Sequence, residues 1–168
     1  PNVPLKENYR TNIVGNLLTS STEYEVIVDA AWAGNDLAPD PIYMAAANGG
    51  DVTLTENVTL TKPLAIKADM TLNLDGHTIT GAMTVAEGAN VTIKNGTITG
   101  AMHKSVGAVI ENNGTLTIQN GTISSTAENG GAAVLNKGTL TITDATVNGA
   151  PSDTATGTAS YAVNSQGT

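Results

Sequence analysis

Residues 91–99 read VTIKNGTIT, residues 116–124 read LTIQNGTIS, and residues 140–148 read LTITDATVN. A fainter copy, TLNLDGHTIT, occupies 71–80. Aligned on their turns, Asp75-Gly76, Asn95-Gly96, Asn120-Gly121 and Asp144-Ala145 recur at intervals of 20 to 25 residues. Self-similarity at such a period marks a solenoid. Within each copy apolar residues alternate with Thr, the period-2 pattern of a strand with one buried face. The first strand is VTI (91–93) or LTI (116–118, 140–142), with TLNL (71–74) as its older form. The second is TIT (78–80, 97–99), TIS (122–124) or TVN (146–148). A third follows as AVI (108–110), AVL (133–135) or AVN (162–164), each leading through Gly114, Gly138 or Gly167 to the next coil.

Three strands and three corners close a triangular coil. A single coil cannot bury its inward face, so coils stack, each strand lying parallel to its equivalent at about 4.8 Å. The expected fold is all-β, a single-stranded parallel β-helix with Ile79, Ile98, Ile123 and Val147 in one inward stack. Asp75, Asn95, Asn120 and Asp144 are expected to form a structural column at one corner, with stacked Asn side chains hydrogen-bonding along it. A hairpin reading of the Asn-Gly turns leaves the third strand and the period unexplained.

Composition agrees. The 168 residues are 40% hydrophobic but 3% aromatic, with no Phe, 18 Gly, and Thr at roughly one residue in six. Net charge −8 with seven Lys and Arg argues against a nucleic-acid partner. The absence of Cys removes disulfides, thiolate metal sites and Cys nucleophiles. No apolar run approaches the ~18 residues of a membrane-crossing helix. The chain opens at Pro1 without Met, which reads as a processed or excised piece.

The stretch AAANGGDVTLTENVTLTKPLAIKADMTLNLDGHTITG (45–81) resembles the opening coils of the pectate-lyase-like right-handed parallel β-helix of exported bacterial proteins, with LNLDGHTITG its most telling part. The resemblance covers roughly 40–168 and implies a right-handed coil. Before it, DPIYMAAANGG (40–50) has Asp40 as N-cap, Pro41 at the first helical position and Gly49 as stop, a short helix capping the core. The opening segment is different: NYRTNIVGNLL (8–18) and EYEVIVDAAW (23–32) read as a β-hairpin joined by TSST. VPLKENYRTNIVGNLLT resembles the closing strands of fimbrillin-like surface proteins of the Bacteroidales. The expected division is therefore 1–35, fimbrillin-like C-terminal strands or a joint to them, and 36–168, β-helix.

Catalysis would need clustered acids and bases. Asp75 and Asp144 are explained by their turns, Glu111 and Glu128 fall at different corners, and the one Arg, Arg10, lies outside the repeats. The two histidines, His77 and His103, read as a surface turn residue and a loop residue. No catalytic residue, metal ligand or cofactor is expected. Five Asn-x-Thr triplets, at Asn57, Asn90, Asn95, Asn113 and Asn120, follow from abundant Asn and Thr; DTA at 153–155 resembles the short O-glycosylation signal of exported Bacteroidales proteins, at Thr154.

Between second and third strands run the excursions Gly100–Gly107, Ser125–Ala132 and Gly149–Tyr161, leaving from one corner and lengthening down the solenoid. Insertions on one face of a repeat protein build binding surfaces. The candidate ligand contacts there are His103, Lys104, Glu128, Asn129, Asp153 and Tyr161, Tyr161 offering a ring to a sugar. The functional expectation is an adhesin-like or fimbria-associated protein, extracellular and associated with the outer membrane surface, that meets a glycan, a host or surface protein, or fimbrial subunits. Alternatives are the N-terminal part of a β-helix polysaccharide lyase or hydrolase, and a structural stalk. YAVNSQGT (161–168) lines up with AAVLNKGT (132–139), after which LTI follows. The chain is thus expected to be the N-terminal part of a longer protein, its last coil exposing apolar side chains near Leu140, Ile142, Val147 and Val163 and prone to end-to-end self-association.

Overall fold

The computed structural model describes residues 41–101, 108–127, 131–150 and 160–168. The expected N-terminal hairpin, the fimbrillin-like segment and the Asp40 cap lie outside the described residues. Helix α1 (Pro41–Asn48) comes first, and Pro suits a first turn whose N–H groups have no intrahelical partner. Gly49 ends it with φ +91°, its N–H donating to the Ala45 carbonyl. Ile42, Ala45 and Ala46 are buried against the first coil, where the Lys67 N–H donates to the Ala46 carbonyl. The helix therefore covers apolar surface that a bare first coil would expose.

Five coils follow. The first holds β1 (Gly50–Thr53), β2 (Val58–Thr59) and β3 (Leu64–Ile66); the second β4 (Met70–Asn73), β5 (Thr78–Thr80) and β6 (Met83–Val85). The third holds β7 (Asn90–Lys94), β8 (Thr97–Gly100) and β9 (Ala108–Asn112); the fourth β10 (Thr115–Gln119), β11 (Thr122–Ser125) and β12 (Gly131–Asn136). The fifth holds β13 (Thr139–Thr143), β14 (Thr146–Asn148) and β15 (Ser160–Ser165). Equivalent strands pair in parallel into three five-stranded sheets: sheet A from β1, β4, β7, β10 and β13; sheet B from β2, β5, β8, β11 and β14; sheet C from β3, β6, β9, β12 and β15.

The expected aliphatic stack is present. Ile79 pairs with Ile98, Ile98 with Ile123, and Ile123 with Val147. The three isoleucines are buried, each contributing about 1.5–3 kcal/mol by leaving water, whereas Val147 is half-buried because, among the described residues, β14 is the edge strand of its sheet. The same change runs across the whole fifth coil. Ile118 is 0% exposed, but its partner Ile142 is 40% exposed, and Leu140 and Val163 are half-buried.

Two expectations are corrected by the register. AVI at 108–110 and AVL at 133–135 are offset by one residue, since Val134 pairs with Ile110 on one side and Val163 on the other. Because side chains alternate, a one-residue slip would turn Ile110 outward, and burial decides against it. The Asx column also differs in its chemistry. Asp75, Asn95, Asn120 and Asp144 do form a corner column, with φ of 47°, 61°, 48° and 49°, the left-handed region that Asn and Asp tolerate best among residues with a Cβ. Their side chains do not form the ladder: the Asn95 amide donates to Asn73 Oδ1 at 2.9 Å, not to Asn120. Backbone bonds join the coils there, such as Gly76 N–H to the Asn95 carbonyl and Asn95 N–H to the Gln119 carbonyl.

The amide ladder sits inside sheet C instead. Ile66, Val85, Asn112, Asn136 and Ser165 occupy one inward column in register, which changes from aliphatic to polar at the third coil. At the adjoining corner Gly114, Gly138 and Gly167 stack so closely that a Cβ on Gly138 would collide with the Gly114 carbonyl, and one on Gly167 with the Gly138 carbonyl. Close approach of backbones explains these glycines.

Candidate functional site

Every connection from sheet B to sheet C leaves from the same corner. In the second coil it is Gly81-Ala82; in the third, fourth and fifth coils the strand bounds leave 101–107, 126–130 and 149–159. The three longest connections thus follow one another at one corner, although the middle one is the shortest of them, correcting the expectation of a steady lengthening. Of the candidate contacts, His103, Lys104, Glu128, Asn129 and Asp153 lie outside the described residues. Tyr161 lies on β15, is 50% exposed and pairs with Ala132.

The candidate carboxylates are dispersed. Glu111 faces outward on β9 and accepts an ion pair from Lys137 Nζ of the next coil at 2.7 Å. With Lys137 partly in water, this pair is worth at most about 1 kcal/mol, but it occupies the carboxylate. Asp75 and Asp144 belong to the left-handed corner column. His77, also at that corner, is half-buried, and its backbone N–H donates to the Leu74 carbonyl. Among the described residues no three His, Asp or Glu side chains are placed to hold a metal ion.

A second feature was not expected from the sequence. The outer face of sheet A carries a shallow groove of about 220 Å³ crossing β1, β4, β7 and β10. One wall-to-wall column is Asp51, Thr71, Thr92 and Thr117, in register across four coils. Beside it, Asp69 precedes β4, and Asn90 pairs with Thr115. Asp69 Oδ1 accepts both the Asn90 backbone N–H at 2.8 Å and its side-chain amide at 3.1 Å, which fixes the carboxylate and the amide relative to each other. Met70 and Val91, both buried, lie beneath. Apart from Asp69, the residues come from four separate strands, so no local motif announces them; a column of Thr at matching positions of successive repeats is the available signal.

The fold of the described residues is a β-solenoid of three-stranded coils. No family model, curated protein or solved structure matches the chain.

Proposed function

We propose that the protein is an adhesin-like, extracellular surface protein in which a rigid parallel β-helix holds the sheet B–sheet C corner in place as a binding surface for a glycan or a partner protein. The observation that carries this reading is the succession of the three longest connections at one corner of consecutive coils, where the second coil manages with Gly81-Ala82. A spacer has no use for three such extensions, whereas binding surfaces of repeat proteins are built from them. Rigidity supports the same reading. Parallel pairing in register and a continuous aliphatic core hold the strands that flank the corner in fixed positions. Tyr161, half-exposed next to Ala132, adds an amphipathic ring near the end of the last connection.

Binding is favoured over catalysis because Glu111 is engaged by Lys137, and Asp75 and Asp144 serve the backbone corner. The resemblance of residues in the opening segment to fimbrillin-like strands supports placement at the bacterial surface with fimbrial subunits as neighbours. A glycan array probed with the intact protein, followed by product analysis of any retained glycan, tests the reading. Retention without turnover is expected; cleavage that is lost in Glu111→Gln or Glu128→Gln would establish an enzyme instead.

A further inference from the structure

We infer that Asn120, at the corner between β10 and β11, is a modification site: its side-chain amide is lost in water through attack by the Gly121 backbone nitrogen, leaving aspartate or isoaspartate. The described residues hold five Asn-Gly pairs, Asn48-Gly49, Asn95-Gly96, Asn113-Gly114, Asn120-Gly121 and Asn148-Gly149. In such a pair no side chain shields the nitrogen that follows the amide carbon. The reaction is intramolecular, and its rate depends on how freely the two groups meet. Four of the pairs have one of these groups tied. The Asn48 amide donates to the Met44 carbonyl, and the Gly49 N–H to the Ala45 carbonyl. The Asn95 amide is held by Asn73 Oδ1 at 2.9 Å, and the Asn148 amide by Ser124 Oγ at 3.2 Å. Beside Asn113, the Gly114 N–H donates to Asn112 Oδ1. Asn120 is exposed, and among the described residues neither its amide nor the Gly121 N–H makes a hydrogen bond.

Asn95 is the informative comparison. It shares with Asn120 the Asn-Gly-Thr sequence, the exposed corner position and the left-handed backbone, with φ of 61° against 48°. Local sequence ranks the two alike, and the structure separates them. Besides the bond to Asn73, the Gly96 peptide is closely packed, since a Cβ there would strike Leu74 and the His77 carbonyl. At Gly121 the nearest atom to a Cβ would be the Gly96 carbonyl oxygen, at 3.1 Å. The Gly121 peptide has room to turn toward the amide carbon that the Gly96 peptide lacks.

Water and hydroxide are the only co-reactants. Hydroxide takes the Gly121 N–H proton, and the nitrogen bonds to Asn120 Cγ. The Cγ–Nδ2 bond breaks, and the departing nitrogen takes a proton from water and leaves as ammonia, regenerating hydroxide. Water then opens the cyclic imide. Addition at the side-chain carbonyl gives aspartate on the ordinary backbone; addition at the main-chain carbonyl gives isoaspartate. Aspartate fits the corner, because Asp75 and Asp144 already hold it with φ of 47° and 49°. It adds a negative charge to the net −8, one coil from Asp144. Isoaspartate instead inserts a methylene into the backbone just before β11, where the Thr122 N–H donates to the Gly96 carbonyl at 2.8 Å. That product loosens the pairing of β11 with β8.

The test is incubation of the full chain in heavy-oxygen water at mildly alkaline pH and physiological temperature, followed by peptide mass spectrometry with fragmentation that assigns each Asn. In the folded protein, position 120 should gain the acid and its heavy oxygen several times faster than position 95. In urea, where the fold no longer ties either group, the two Asn-Gly-Thr sites should react at equal rates. Asn73→Ala frees the Asn95 amide and should bring the folded rate at Asn95 toward that at Asn120. Should this variant fold poorly, the folded and urea-unfolded rates of the unaltered chain decide the matter by themselves. Equal rates at positions 95 and 120 in the folded protein would overturn the inference. So would conversion at position 120 in urea with none in the folded protein.

Discussion

The side-chain amide of Asn112 donates to Oδ1 of Asn136 in the next coil at 2.7 Å, with the two residues 0% and 1% exposed. The remaining capacity of the pair is spent at the glycine corner. Asn112 Nδ2 also reaches the Thr139 carbonyl, and its Oδ1 accepts the Gly114 N–H. Asn136 Nδ2 has three acceptors within reach of its two N–H groups, the Gly138 and Thr168 carbonyls and Ser165 Oγ. A satisfied buried network ties successive coils where their backbones approach most closely.

Replacing Asn136 by Leu keeps bulk but removes one acceptor of the Asn112 amide and the donor of the Gly138 and Thr168 carbonyls. The expected loss is about 2–3 kcal/mol in urea unfolding, as for a buried polar group deprived of its partner. Combining Asn112→Val with Asn136→Leu should be less damaging than the sum of the single changes, a coupling of about 0.5–3 kcal/mol in a double-mutant cycle.

Ile98 lies between Ile79 and Ile123 with no exposure. Ile98→Val is expected to cost about 0.5–1.5 kcal/mol. Ile98→Asp would bury an unpaired charge and cost several kcal/mol, enough to abolish the cooperative melt followed by circular dichroism.

At the Asx corner the left-handed backbone is the requirement. Asn120→Gly should leave stability unchanged or slightly higher, whereas Asn120→Ala should lower it by about 1 kcal/mol, because Ala keeps a Cβ at the φ of 48° found there but lacks the short polar side chain that lets Asn tolerate it. Paired urea titrations of the two variants provide the measurement. Equal stability of the two would mean that the side chain, not the backbone angle, is what the corner needs.

Gly138→Ala meets a different obstacle. Its Cβ would strike the Gly114 carbonyl of the coil before, so the stacked corner must open. A loss of about 1–3 kcal/mol is expected, as for other overpacked sites, with amide exchange accelerated first at Gly138, Thr139 and Leu140.

The period, the three-strand coil and the isoleucine stack were legible because each depends on local alternation and one repeated turn. Residues 50–66 were harder to divide into strands, since β2 is just Val58–Thr59 and no LTI phrase marks the coil. The amide ladder was misplaced for a physical reason. Asn95 and Asn120 stand in visible Asn-Gly turns, whereas Asn112 and Asn136 are inward strand residues adjoining the other corner. Polarity hid their burial, and only register brings them together. The same holds for the groove, whose Asp51, Thr71, Thr92 and Thr117 are neighbours solely through coil stacking.

The most direct measurement for the presentation of the sheet B–sheet C corner uses the second coil as a template. Residues 101–107, 126–130 and 149–159 are each replaced by Gly-Ala, the connection that joins β5 to β6 at Gly81-Ala82, and intact and trimmed proteins are compared on one glycan and protein array. The expected result is an unchanged β-rich circular dichroism spectrum and melting transition together with loss of the ligands that the intact protein retains at that corner. Undiminished capture by the folded, trimmed protein, or no capture by the intact one, would contradict it.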